Sequence, residues 1–127
     1  MTPIWVDRAV ILAMHDRLLA EHGGASGLRD EAMLESALAR PQQLISYGDP
    51  DLFDLAAAYA AGIVQNHPFV DGNKRTGFMT AYAFLARNGV QLIASEIDAV
   101  QAVIALAANE LQEIDFAAWL RESCEPI

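Results

Sequence analysis

The chain has 127 residues, of which 54% are hydrophobic, and its formal net charge is −9. We expect one domain, residues 1–127, with a substantial buried core. The acidic excess excludes a protein that coats nucleic acid or anionic membrane, because both need a basic surface. The lone cysteine, Cys124, builds no disulfide framework, and the longest apolar run is too short to span a bilayer. We therefore expect a soluble cytoplasmic protein that binds neither DNA nor membrane directly.

The first half of the chain shows helical periodicity interrupted by capping and breaking signals. Asp7 is the predicted N-cap of a first helix that ends near the glycines at 23–24. Asp30 is the predicted N-cap of a second helix, which stops before Pro41 because proline disfavours helical backbone at the preceding residue. Residues 41–50, PQQLISYGDP, are predicted to form a loop or a short extended flap.

Two later segments, residues 51–67 and 73–89, are apolar almost all the way round. A helix of that kind is buried rather than amphipathic, so we expect these two to be the central pair of the fold. Ser95 is the predicted N-cap of a helix through about Ala108, and Asp115 that of a short last helix. The predicted fold is all-α, with PIWV and VQLIA as weak strand candidates.

The stretch HPFVDGNKRT joins the two predicted central helices. His67 ends the first helix, Pro68 prevents helical continuation, Gly72 provides a flexible turn, and the second helix begins at about Asn73. The first N–H groups of a helix have no partner within it. Together with the helix dipole they form a site for anions, most often phosphate.

The same stretch places the only lysine, Lys74, beside Arg75 at a predicted helix N-terminus. Cations there oppose the helix dipole, so their position predicts contact with a bound polyphosphate. Asp71 is a candidate Mg²⁺ ligand, since this ion binds through one or two carboxylates plus substrate oxygens. His67 can accept a proton at cytosolic pH. The alternatives are a charged turn with Asp71 as N-cap and a histidine with a structural role.

This stretch resembles the Fic motif, whose usual form is H-P-F-x-D/E-G-N-G-R-x-x-R. The matching residues are His67, Pro68, Phe69, Asp71, Gly72, Asn73 and Arg75. Lys74 stands where the usual motif has glycine, and Phe78 stands where it has a second arginine. Both departures are typical of the Doc branch, the toxins of toxin–antitoxin pairs, and the resemblance extends over roughly residues 4 to 110.

The resemblance implies a compact helical bundle of the Fic type with its active-site loop between two central helices. Most Fic proteins transfer AMP from ATP to a protein hydroxyl. The Doc branch implies instead a toxin kinase that moves the γ-phosphoryl group of ATP, with Mg²⁺, to a serine or threonine of translation elongation factor Tu. His67 would be the general base, Asp71 the metal ligand, and Gly72, Asn73, Lys74 and Arg75 the phosphate-binding residues. Pro68 and Phe69 would be structural, and Leu44, Ile45, Ser46 and Tyr47 would form a flap that aligns the target.

The sequence lacks the self-inhibitory segment that many Fic proteins carry. Many Fic proteins restrain themselves with an S/T-x-x-x-E-G/N segment, and the nearest candidate, Ser26 to Asp30, has the wrong acid. We therefore expect inhibition in trans by a Phd-like antitoxin whose segment folds on binding. The alternatives to a kinase are an AMP transferase, despite Lys74 and Phe78, and a catalytically inactive binding module.

Overall fold

A computed structural model describes residues 2–127, and this part of the chain forms six α-helices and two short β-strands. The predicted all-α class is therefore confirmed. The strands pair antiparallel, with Val90 opposite Pro126 and Leu92 opposite Cys124. In chain order the elements are α1 (Arg8–His22), α2 (Glu31–Tyr47), α3 (Leu52–Asn66), α4 (Asn73–Arg87), β1 (Val90–Leu92), α5 (Glu96–Ala107), α6 (Glu113–Glu122) and β2 (Cys124–Pro126).

Helix α3 is the centre of the core. Residues 55–64 of this helix are all buried, as its apolar composition predicts. Helix α4 differs from the prediction, because it buries one face, which includes Phe84 and Leu85, and leaves Tyr82 exposed. The second central helix is therefore amphipathic, and its other face is available to a site.

Small residues allow the helices around α3 to approach closely. A Cβ atom placed on Gly77 of α4 would lie 2.9 Å from Cγ1 of Val64. A Cβ atom placed on Gly62 would lie 3.1 Å from the Cα of Ala37 in α2. Helix α3 thus contacts both neighbours at separations that larger side chains would not permit.

The predicted N-caps are confirmed at Asp7, Asp30 and Ser95, whose side chains each accept a hydrogen bond from the N–H three residues later. The last helix begins earlier than predicted, with Gln112 as N-cap. Asp115 therefore lies in the first turn, where its negative charge interacts favourably with the helix dipole.

The predicted end of the second helix before Pro41 is wrong, and so is the extended flap. Helix α2 continues through Pro41 to Tyr47. Pro41 is buried together with Leu34 and Ala37, and Leu44 packs against the same core. Burial of this apolar face offsets the backbone hydrogen bond that proline cannot donate.

The two strand candidates have different outcomes. PIWV, residues 3–6, forms no strand, whereas VQLIA, residues 90–94, contains β1. Strand β2 carries no pattern that would indicate it in advance, because its pairing with β1 is long-range. Among residues 2–127, no helix has both the length and the hydropathy needed to cross a bilayer.

Candidate active site

His67 terminates α3 in a left-handed backbone conformation, with φ 54° and ψ 52°. Its N–H donates to the carbonyl of Ile63 at 3.1 Å, which completes the last turn as predicted. A non-glycine residue in this conformation costs on the order of 1–3 kcal/mol and persists only when its surroundings hold it. His67 is exposed and lines a cleft beside the loop.

The peptide that follows His67 is held by residues 27–30, here named the strap, which connect α1 to α2. Two N–H groups of the strap donate to the carbonyl of Pro68, at 2.7 and 3.0 Å. The N–H of Val70 donates to the carbonyl at the start of the strap at 3.0 Å. The extended segment next to the loop is therefore the strap, and its signal in the sequence is the glycine-rich run GGASG, residues 23–27, which leads into it.

Asn73 locks the loop around the buried ring of Phe69. Its Oδ1 accepts the N–H of Phe69 at 3.0 Å, and its Nδ2 donates to the carbonyl of the same residue at 2.9 Å. The side chain of Asn73 is only 4% exposed. Its amide is thus used within the loop, which leaves the backbone N–H as the group of Asn73 that can meet a phosphate.

His15 contributes to the site from outside the loop. It is buried on α1, and its ring stacks on Phe69 with centroids 3.8 Å apart and planes inclined by 11°. Its Nε2 lies 2.8 Å from the carbonyl oxygen of Asp71. A carbonyl only accepts, so this nitrogen carries the proton and donates. The available signal was its position four residues after Ile11, on the buried stripe of α1.

The carboxylate of Asp71 is exposed and oriented by two backbone donors. Oδ1 accepts the N–H of Gly72 at 2.9 Å, and Oδ2 accepts the N–H of Ala25 at 3.3 Å. The N-cap of α4 is Gly72, with φ 80° and no side-chain cap, so the interpretation of Asp71 as N-cap is wrong. Each oxygen retains lone pairs, which fits a Mg²⁺ ligand. Residues 2–127 contain no group of three or more His, Cys, Asp or Glu side chains that could hold a metal ion.

The start of α4 presents unpaired donors. Its first hydrogen bond runs from the N–H of Thr76 to the carbonyl of Gly72 at 3.0 Å. The preceding N–H groups, of residues 73–75, have no hydrogen-bond partner within residues 2–127, as expected at a helix N-terminus. Lys74 and Arg75 are exposed and form no ion pair in the same part of the chain. The start of α4 therefore combines free N–H donors with two positive charges, an arrangement suited to an anion.

A cleft of about 1000 Å³ brings the predicted loop residues together. One wall is polar and consists of His67, Asp71, Gly72, Asn73, Lys74 and Arg75. The other wall is mainly apolar and is formed by Phe78, Met79 and Tyr82 of α4 with the facing side chains of α5. Apolar walls with a few convergent polar groups are typical of a small-molecule site.

The predicted flap residues, Leu44, Ile45, Ser46 and Tyr47, do not belong to this cleft. They lie in the last turn of α2. Asn66 at the end of α3 donates to the carbonyl of Met33 near the start of α2, so these helices are antiparallel. The fifteen residues of α3 span about 22 Å, and the flap residues therefore lie at the opposite end of that helix from His67.

Comparison with known proteins agrees with this geometry. Residues 5–85 match the family model described as the Fic/DOC family. A protein named Protein kinase doc, from Escherichia phage P1, is 33% identical over 112 residues, which are 87% of this chain and 88% of that protein. A protein named Toxin Doc, from Mycolicibacterium smegmatis, is 47% identical over 74 residues, which are 57% of each chain. The chain therefore belongs to the Fic/Doc family, in its Doc branch.

Proposed function

We propose that this chain is a toxin kinase, which transfers the γ-phosphoryl group of ATP to a serine or threonine hydroxyl of a translation factor. The observation that carries the proposal is the placement of Lys74 and Phe78, which both line the cleft beside His67. The lysine stem occupies space that the glycine of the usual motif leaves open. Phe78 supplies no charge where that motif has an arginine, so the cradle for an AMP donor's phosphates is altered.

The names of two relatives support the same class of function. The phage P1 protein is named a kinase, and its match covers most of both chains. The mycobacterial protein is named a toxin. Elongation factor Tu is the proposed target, and modification of it in the cytoplasm would arrest translation.

His67 acts as the general base in the proposed transfer. The imidazole takes the proton of the target hydroxyl while the hydroxyl oxygen forms a bond to the γ-phosphorus. The bond between that phosphorus and the bridging oxygen breaks, and ADP leaves with the bond's electron pair. Lys74, Arg75 and the free N–H groups at the start of α4 stabilise the charge on the phosphate oxygens.

Asp71 is the residue that would hold Mg²⁺, through its exposed carboxylate oxygens. When bound, this ion neutralises part of the phosphate charge. The backbone donors at Gly72 and Ala25 fix the direction of the carboxylate.

Inhibition by an antitoxin in trans completes the proposal. No carboxylate forms an ion pair with Lys74 or Arg75 in residues 2–127. The described chain thus leaves its phosphate-binding surface open, and a Phd-like segment that folds on binding would close it. Co-expression with the neighbouring gene product is expected to relieve growth arrest, and arrest that no neighbour relieves would contradict this part of the proposal.

A double-label experiment tests the reaction. The protein is incubated with cell extract, Mg²⁺ and ATP that is labelled at either the α- or the γ-phosphate. We expect one extract protein to retain label only from the γ position. Label retained only from the α position would establish AMP transfer instead, and growth arrest undiminished by His67→Ala would favour an inactive binding module.

A further inference from the structure

Arg29, in the strap, contacts three consecutive residues at the end of α3. Its Nε donates to the carbonyl of His67 at 2.6 Å, and its Nη2 donates to the carbonyl of Asn66 at 2.9 Å. Its backbone N–H donates to the carbonyl of Pro68 at 2.7 Å. These three hydrogen bonds tie one arginine to the whole peptide around the proposed general base.

The two side-chain bonds control the backbone of His67. The carbonyls of Asn66 and His67 belong to the two rigid peptide planes that flank the Cα of His67. A guanidinium that holds both carbonyls therefore fixes the relative orientation of these planes, and with it φ and ψ of His67. The left-handed values of 54° and 52° are of the kind that surrounding contacts must maintain.

The charge of Arg29 is used differently from that of the arginines in ion pairs. Arg8, Arg40 and Arg121 each bond to carboxylates, whereas Arg29 forms no ion pair within residues 2–127. Helix α3 carries no basic residue in its own last turn. Arg29 supplies that positive charge from a neighbouring segment, where it satisfies carbonyls that the helix leaves free.

We propose that Arg29 is a positioning residue for the reaction, which holds the imidazole of His67 in the cleft by fixing its backbone. This inference rests on the proposed function, since it requires His67 to act as the base. Arg29 does not line the cleft, and its hydrogen bonds go to the carbonyls of residues 66–68 rather than to the proposed phosphate-binding residues or Asp71. Arg29 therefore affects the rate of transfer rather than the binding of ATP.

Two substitutions of Arg29 distinguish the positioning of His67 from the effect of positive charge alone. Arg29→Met keeps a flexible unbranched stem and removes every side-chain donor. Arg29→Lys keeps the positive charge near the helix end but lacks the fork that binds two carbonyls at fixed geometry. We expect both variants to lower kcat by about tenfold to a hundredfold, with KM for ATP within about twofold of wild type. Full recovery of kcat in Arg29→Lys would overturn the proposal, because charge would then suffice.

A matched control uses an arginine that contacts the opposite end of α3 from His67. Arg121 bonds to Asp51 and Asp54 at the start of α3, so Arg121→Met weakens that helix without contact to His67. We expect kcat to be unchanged in Arg121→Met. An equal loss of kcat in the two methionine variants would show that Arg29 contributes only to the stability of α3.

Two further measurements complete the test. In a His67→Ala background, Arg29→Met is expected to cause no additional loss of kcat, and a full additional loss would contradict action through His67. The NMR signals of the His67 imidazole are expected to shift in both Arg29 variants and to stay in place in Arg121→Met. The NMR measurement needs no transfer reaction, so it tests whether Arg29 positions His67 even if the wild-type protein fails to transfer phosphate. Unchanged signals in the Arg29 variants would refute this positioning role.

Discussion

Replacement of Gly77 by alanine tests whether close packing of α3 and α4 sets the geometry of the loop. Alanine in a helix is favoured over glycine by about 1 kcal/mol. The new Cβ, however, would lie 2.9 Å from Cγ1 of Val64 and 3.2 Å from the carbonyl oxygen of Ala60, whereas ordinary contacts are at 3.4 Å or more. Val64 is stiff at χ1 and the Ala60 oxygen is backbone, so the two helices must separate by roughly 0.5 Å.

The expected cost follows from that separation. Overpacking in a core costs about 1–3 kcal/mol, which equals or exceeds the gain in helix propensity and leaves a net loss of between zero and about 2 kcal/mol. Because His67 directly follows α3 and Lys74 lies on α4, these two residues also move apart, and phosphoryl transfer is expected to slow.

Urea unfolding and the rate of label transfer measure the two effects of Gly77→Ala. Gly48→Ala is the matched control, because a Cβ at Gly48 meets no atom within 4 Å and its φ of −170° suits any residue. We expect the control to behave as wild type. A Gly77→Ala variant that is as stable and as active as wild type would refute the packing argument.

Three further variants test other parts of the site and the fold. His15→Phe keeps a ring but removes the donor to the loop carbonyl, so the free energy of unfolding is expected to fall by about 1–3 kcal/mol in urea titrations; an unchanged midpoint would contradict this. Burial raises the pKa of Asp51, but a backbone hydrogen bond and the Arg121 guanidinium outweigh it, so the pKa lies below its usual 3.8. The ionised form therefore stabilises the folded protein above pH 3.8, and this stabilisation is lost as pH falls through the lower folded pKa. The difference in the free energy of unfolding between wild type and Asp51→Asn should therefore decrease in acid. A difference that increases would contradict the lowered pKa. Lys74→Gly combined with Phe78→Arg restores the usual motif and should shift the transferred label towards the α position; unaltered γ transfer would show that these residues do not select the reaction.

Local signals account for most of what the sequence predicts correctly. The N-caps Asp7, Asp30 and Ser95 are predictable because each side-chain oxygen and the N–H that it accepts are only three residues apart, so no distant contact is involved. The end of α3 at His67 likewise follows from the proline after it. The loop residues meet in one cleft because α3 and α4 are joined directly by that loop.

Long-range packing accounts for the errors. Pro41 stays helical because its neighbours on one face are buried against α3, which the residues around it do not reveal. Strand β2 exists only through its pairing with β1. The strap, Arg29 and His15 reach the loop from far along the chain, so their roles depend on contacts that no local pattern encodes.

The mass added to the modified target tests the proposed reaction most directly. The purified protein is incubated with elongation factor Tu, ATP and Mg²⁺, and the intact mass of the factor is measured before and after the reaction. We predict the addition of a single phosphoryl group, on a serine or threonine, at a rate that His67→Ala lowers sharply. Addition of an adenylyl group would contradict γ-phosphoryl transfer at this loop.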